Sequence, residues 1–457
     1  MKQNIIQSKL RYVIFIFTAI LLLGLSACNK FVATPIPTNV IAASVALNND
    51  ASIVAALAGA YASVNNTAPS TITNGVLFSD EVLATNAASS TTILQAQQNT
   101  YDVTTDYDFY KNYYQAIYNT NLILDALAVP NTLTPDVAKQ VKGECEFLRA
   151  FCYYRLINYF GNVPLVLTSN VAVSSKIPNT PVSQTIAQMI QDLTDAQALL
   201  PAAYPSADRV RANTYTATAL LARIYLQKKD WINAEAASTT IINSGTYTLP
   251  TDPNAVFIKG STETIWQLYN INGFVNFAPT FIPLPTTTVF YQLRPGLINL
   301  FGANDLRKAD WIKAGTDAAA NDYYPYKYKA RLATTGDSTE YEVMFRLAEQ
   351  YLIRAEARAQ QNNIAGSLAD VNVIRARAKA DALIATSQDD MLSKIENERR
   401  MELMTEEGLR WFDLNRTGKT YAELFPLKPT FTAKAVLLPY TTEILLANPF
   451  LIQNSGY

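Results

Sequence analysis

The run Arg346-Leu347-Ala348-Glu349-Gln350-Tyr351-Leu352-Ile353-Arg354-Ala355-Glu356-Ala357 carries the clearest structural signal in the chain. It lies in a helical stretch from 341 to 361, and after a short break at Gln361 to Asn363 a second stretch continues to 379. Two more pairs precede it, 106–129 with 134–160 and 213–228 with 230–243, broken at Pro130 to Thr134 and near Lys229-Asp230. Helix pairs of this length joined by such short turns predict tetratricopeptide-like units. Units of this kind stack into a mainly α solenoid, because each buries its apolar face only against its neighbours. The second pair carries Ala222, Tyr225, Trp231, Ala234 and Ala237, with the small alanines where two helices would cross closely.

Between the pairs the helical period fails. Thr246 to about Leu332 contains Pro250, Pro253, Pro279, Pro283, Pro285, Pro295 and Pro325, with short runs at Thr264 to Tyr269 and Tyr323 to Tyr328. It reads as loops, a few short strands and one helix near 294–302. A second irregular zone, Asn65 to Asp106, is rich in Asn, Thr, Ser and Gln. Irregular surface on a rigid scaffold is where binding residues usually sit.

Charge and composition exclude several functions. Lys plus Arg number 37 against 38 Asp plus Glu, a net charge of −1, so nothing in the whole chain steers nucleic acid or an anionic membrane surface. His is absent, which removes the Ser-His-Asp triad, the Cys-His pair, the imidazole metal ligand and the usual general base near neutral pH. Cys145 and Cys152 would stand about 10 Å apart along one helix, beyond the disulfide limit of about 7 Å. They share the stripe Val141, Cys145, Leu148, Cys152, Leu156 and Tyr159 and read as core. With no CxxC or Cys/His cluster, no metal or cofactor is expected.

Residues 1–27 read as an export signal, with Lys2, Lys9 and Arg11 ahead of the uncharged run Tyr12 to Leu25. The run is short for a spanning helix and ends in small residues instead of a basic stop-transfer cluster. Leu25-Ser26-Ala27-Cys28 resembles the lipobox of bacterial lipoproteins, in which Cys28 is linked to diacylglycerol and becomes the mature N-terminus. Residues 28–45 are then a lipidated terminus and linker, kept extended by Pro35 and Pro37, and 46–457 a single binding domain.

Five segments together resemble the SusD/RagB family of Bacteroidetes outer-membrane lipoproteins. Phe147 to Leu156, leading to Tyr159-Phe160-Gly161-Asn162-Val163-Pro164-Leu165, looks like the family's helix and its exit; Arg346 to Ala357 and Leu368 to Ala378 look like its helix pair. Glu398-Arg399-Arg400-Met401-Glu402-Leu403 with Glu407-Gly408-Leu409-Arg410-Trp411-Phe412-Asp413-Leu414, and the ending Leu438-Pro439-Tyr440 to Tyr457, complete the set. The resemblance implies four tetratricopeptide-like units with a less regular ligand-facing side. It also implies an outer-membrane lipoprotein, facing the cell exterior over a SusC-like TonB-dependent transporter, that captures an oligosaccharide without cleaving it. Some relatives carry peptides, so peptide or glycoprotein capture stays open, as do a surface glycoside hydrolase and a purely structural lipoprotein.

The acids give no signal for hydrolysis. Glu396 with Arg400 and Glu406 with Arg410 have the order of favourable i, i+4 pairs, worth roughly 0.2 to 0.5 kcal/mol each on an exposed helix face. They read as helix surface or inter-unit packing. Asp80-Glu81 and Asp389-Asp390 are adjacent and would diverge, whereas glycosidases hold two carboxyls about 5 to 9.5 Å apart across a sugar.

A neutral sugar needs aromatic platforms for its C–H face and amides for its hydroxyls. All four Trp, 231, 266, 311 and 411, fall in segments read as scaffold, so Tyr and Phe must stack. The ligand-binding candidates are Asn86, Gln98 and Tyr101 in the first irregular zone and Tyr269, Phe274, Phe277, Phe281 and Tyr291 in the second. The Tyr323 to Tyr328 run is read instead as a half-buried strand.

Overall fold

Ile53, Leu57, Ala60, Val64, Ala68, Ile72 and Val76 recur every three or four residues, and all are buried. One apolar stripe therefore faces the core and fixes a helix, α1, over Asp50–Phe78. Asn49 caps it, its side chain accepting from the Ser52 N–H at 3.0 Å. The computed structural model describes residues 43–85, 90–105, 107–270, 274–285, 287–316, 322–331 and 340–457. The expected signal segment, Cys28 and Asn86 lie outside these. Of the unit Met1–Ala46, the one-turn helix Ala43–Ala46 is described, and Leu47–Tyr457 forms a unit of its own.

The main helices after α1 are α2 Thr91–Gln98, α3 Phe109–Leu127, α4 Pro135–Phe160, α5 Val182–Leu199, α6 Thr214–Gln227 and α7 Trp231–Asn243. They are followed by α8 Leu347–Gln360, α9 Ile364–Arg377, α10 Gln388–Glu402 and α11 Leu409–Thr417. α3 packs on α1 and α4, α4 on α5, α5 on α6, α6 on α7, α7 on α8, and α8 on α9 and α10. Packing in chain order is how stacked helical hairpins bury their faces, so the scaffold is mainly α and tetratricopeptide-like. Asn213 and Thr216 form a reciprocal capping box that starts α6. No helix among the described residues is long and apolar enough to cross a membrane.

α4 is the central helix, buried on every face from Gly143 to Phe160. Cys145 and Cys152 are free and buried within it. Its charged residues must then find partners. Arg149 donates to both carboxylate oxygens of Asp192 on α5, at 2.8 and 2.7 Å, and to Asn121 on α3 at 2.9 Å, locking three helices together. Trp266 packs edge-on against Phe147 and Phe151, with centroids at 4.9 and 5.1 Å.

Among the described residues, six short strands form three antiparallel pairs. β1 (Val82–Ala84) pairs with β3 (Tyr291–Leu293), β2 (Thr264–Leu268) with β6 (Glu342–Arg346), and β4 (Ile312–Ala314) with β5 (Tyr323–Pro325). Several elements differ from the sequence expectation. The irregular zone starting at Asn65 is helical as far as Phe78, because the buried stripe continues through Pro69 despite the polar composition. The stretch from 341 opens as strand β6, paired to β2 and buried at all five positions, and turns helical only at Leu347. The helix near 294–302 is one turn, Pro295–Ile298, and α5 had no sequence signal singled out for it.

Candidate functional site

Four of the expected ligand residues are core. Tyr101 is 1% exposed, its hydroxyl bonds to the Ala435 carbonyl, and its ring meets Phe78 edge-on at 5.3 Å; burial pushes its phenol well above the usual value. Phe277, Phe281 and Tyr291 are buried in a ring-to-ring series, Phe277 to Phe281 at 5.8 Å and Phe281 to Tyr291 at 5.4 Å. The proline-rich segment folds back on the scaffold and spends these rings on packing, so none offers a face to a ligand in this conformation. Phe274 is partly buried, and its carbonyl accepts from the Asn270 side chain. Gln98 is exposed at the end of α2, with its carbonyl taking the Thr430 hydroxyl at 3.1 Å.

Tyr269 is 51% exposed and stands apart from that series. It lines a cavity of about 250 Å³ with Tyr61, Asn65, Arg211 and Leu268, and its carbonyl accepts from Asn65 at 2.6 Å. The polar floor there is already engaged. Tyr61 donates to Glu144 at 2.7 Å, and Arg211 forks onto the same carboxylate at 3.0 and 2.5 Å.

The two irregular zones do meet. Val82 faces Leu293, Leu83 faces Gln292 and Ala84 faces Tyr291, and Thr85 N–H extends the ladder to the Phe290 carbonyl at 2.9 Å. Side chains alternate along a strand, so Val82, Ala84, Tyr291 and Leu293 are buried while Leu83, Phe290 and Gln292 face outward, at least partly exposed. Gln97 of α2 accepts from Ala84 N–H at 2.5 Å, leaving its NH₂ group to donate. Gln292 donates to Asp322 at 2.9 Å, and Tyr323, beside Asp322 at the start of β5, is partly exposed. Two partly buried rings, Phe290 and Tyr323, thus lie on the segments that meet here, each also packed against the core. Sequence reasoning did not single out Phe290, Gln97 or Gln292 and set Tyr323 aside as part of a half-buried strand; the two-residue spacing of Phe290 and Gln292 was the available signal.

A larger groove, of about 420 Å³, runs along α3. Tyr110, Tyr114 and Tyr118 form its floor at four-residue intervals, with Lys111 bridged to Glu443 at 3.2 Å on its rim. Tyr114 donates to the Pro164 carbonyl at 2.7 Å, and Tyr118 is 37% exposed. The sequence shows that spacing, but the helical reading of the segment hid it.

Residues 38–226 match the family described as starch-binding, associating with the outer membrane, and residues 302–430 match the SusD family. SusD-like protein P25 of Formosa agariphila is 26% identical, with 77% of this chain and 79% of that protein aligned. The chain belongs to the SusD/RagB family. This SusD-family chain superposes on a SusD superfamily protein from Bacteroides vulgatus with a TM-score of 0.79, at 20% identity over 89% of this chain and 99% of that one. It superposes on a laminarin-binding SusD-like protein with a TM-score of 0.76, at 22% identity over 90% and 100%. At these identities the likeness is one of fold.

The motifs that this SusD-family chain shares with its family turn out to be scaffold. Glu406 pairs not with Arg410 but with Arg346 and Lys327; Arg410 reaches Asp80 and Glu396; and Arg400 reaches Asp80 at 2.8 Å. Of the two expected readings, helix surface and inter-unit packing, the second holds: the ion pairs run between elements, because the 396–410 segment is packed inward and its charges must be answered there. Glu402 alone takes Arg346 at 2.6 Å, Arg307 at 2.8 Å and Arg377 at 2.5 Å. Asp80 and Glu81 have split pKa values. Burial would raise Asp80, yet the guanidiniums of Arg410 and Arg400 hold it below the usual carboxylate range, while burial pushes Glu81 up to about 7. A raised and a lowered carboxyl side by side is the pattern of an acid–base pair. Here both are at most 2% exposed, and Glu81 accepts Thr405 N–H at 2.9 Å, so a substrate has no route to them.

Proposed function

We propose that this protein is a lipoprotein, anchored through Cys28 and facing the cell exterior, that binds a glycan without cleaving it and delivers it to a SusC-like TonB-dependent transporter. The observation carrying this reading is the pairing of β1 with β3, which brings Phe290, Gln292 and, through its bond to Ala84, Gln97 to one junction, with Tyr323 next to Asp322, the partner of Gln292. A ring takes the apolar face of a sugar, and a hydroxyl left without an amide costs about 1 to 3 kcal/mol, which makes such a rim selective. The starch-binding description of the matched family and the fold shared with a laminarin-binding protein support the same cargo class. Asn86, Phe274 and Tyr269 remain proposed ligand contacts within this reading.

Calorimetry on single variants tests the placement. Phe290→Ala and Tyr323→Ala each weaken glycan binding about tenfold or more, while Tyr118→Ala leaves it unchanged. Loss confined to Tyr118→Ala contradicts the placement and moves the site to the α3 groove. Cys28→Ser releases the protein from membranes; a variant that still sediments with them contradicts the anchor.

A further inference from the structure

A third cleft, of about 280 Å³, opens among α6, α7, α8, α10 and α11, and none of its lining residues belongs to the β1–β3 junction or the α3 groove. Five bases line it, Lys229, Arg399, Arg410, Arg416 and Lys419, against three acids, Glu356, Glu396 and Asp413. The acids are fully engaged inside the wall. Glu356 takes the fork of Arg416 at 2.5 and 2.7 Å, Asp413 takes Arg399 and Arg416, and Glu396 takes Arg410 and Lys419. Asp80 behind the wall answers Arg410, but it also answers Arg400, so the surplus of positive charge stands.

The surplus has an address. Arg399 is 5% exposed and spends Nε and Nη2 on Asp413 at 2.8 and 3.1 Å, leaving Nη1 buried with no acceptor among the described residues. Buried donors of this kind are rare in folded proteins, and a charged one is costly to leave unmet. Lys229, on the turn between α6 and α7, is exposed and has no carboxylate partner among the described residues. Trp231, partly buried, supplies a flat apolar wall beside it. An arginine NH, two solvent-facing lysines and an indole face are the groups that meet an oxygen-bearing anion attached to a ring.

We propose that this cleft binds an oxyanion, a sulfate ester or a carboxylate, carried on a sugar ring that lies against Trp231. The site is separate from the β1–β3 junction and stands whether or not neutral glycan binds there. Calorimetry on the full chain compares inorganic sulfate, galacturonic acid oligomers, sulfated galactan oligosaccharides and a neutral glucan. The acidic sugars bind saturably and more tightly than sulfate, and added salt weakens them because exposed lysines are screened within about 8 Å at physiological ionic strength. Lys229→Ala with Lys419→Ala weakens the acidic sugars about tenfold and leaves neutral glucan unchanged. Arg399→Lys, which keeps a cation against Asp413 but removes Nη1, weakens them also, with the melting temperature recorded in parallel. Sulfate binding with no gain for the acidic sugars overturns the sugar assignment. Absence of saturable binding, or binding indifferent to the double lysine variant, overturns the site. Neutral glucan binding reports on the junction alone, so the two readings fail separately.

Discussion

Arg346 and Glu406 are joined by two parallel hydrogen bonds, Nε to Oε2 at 2.7 Å and Nη2 to Oε1 at 2.8 Å, in a fork almost closed to solvent. The same guanidinium reaches Glu263 at 2.7 Å and Glu402 at 2.6 Å, so one side chain ties β6 to the segment before β2, to the end of α10 and to the turn beyond it. Removing one member of a buried ionic group costs more than the group contributes, because the remaining charges stay unanswered. Arg346→Met is therefore expected to cost about 3 to 5 kcal/mol in urea denaturation. A cost below about 1 kcal/mol would show that water reaches the cluster.

Gly408 precedes α11 with φ 71°, and a Cβ on Gly75 of α1 would come within 2.8 Å of its Cα; a Cβ on Gly408 would meet Gly75 Cα at the same distance. Backbone meets backbone, so neither neighbour can yield cheaply. Gly408→Ala combines left-handed strain with overpacking and is expected to cost about 1 to 3 kcal/mol. An unchanged melting temperature would contradict the close approach.

Tyr101 and Tyr269 separate core from surface. Tyr101→Ala is expected to cost about 3 to 5 kcal/mol, as for other large buried rings, while Tyr269→Ala stays within about 0.5 kcal/mol. Equal costs would contradict the burial assigned to Tyr101.

These pairs show what the sequence could and could not carry. The helix from Leu347 was legible in its spacing, but β6 was not. With Glu342 to Arg346 all buried, the strand loses the alternation that marks strands, and a short buried run cannot be told from helix by period. The second half of α1 was hidden by Asn65, Asn66, Thr67, Ser70 and Thr71, although Val64, Ala68, Ile72 and Val76 carry the stripe. For the site, the loop rings of Phe277, Phe281 and Tyr291 looked no different from those of Phe290 and Tyr323. Which residues of 291–293 turn inward is decided by the pairing of β1 with β3, a contact between segments some two hundred residues apart.

Stability is expected to fall as pH rises from about 5 to 8. Burial first, and the charge of Glu407 second, push Glu342 up to about 8 in the folded protein, against 4.5 ordinarily. A carboxyl raised on folding holds its proton longer in the native state, so its contribution is full below the unfolded value and lost as pH climbs through the folded one. Glu81, raised to about 7, acts in the same sense. Asp80 and Asp413, held low by arginines, act in the opposite sense at more acid pH. Glu342→Gln should flatten the decline, and urea midpoints at several pH values check it; an identical decline in that variant would contradict the assignment to Glu342.

Capture of a glycan without cleavage is tested most directly by titrating the lipid-free protein with a panel of oligosaccharides and peptides in a calorimeter, then identifying the recovered ligand by mass spectrometry. Saturable binding of a glycan recovered intact is the predicted result. Shortened glycan, or peptide binding with no glycan bound, would contradict it.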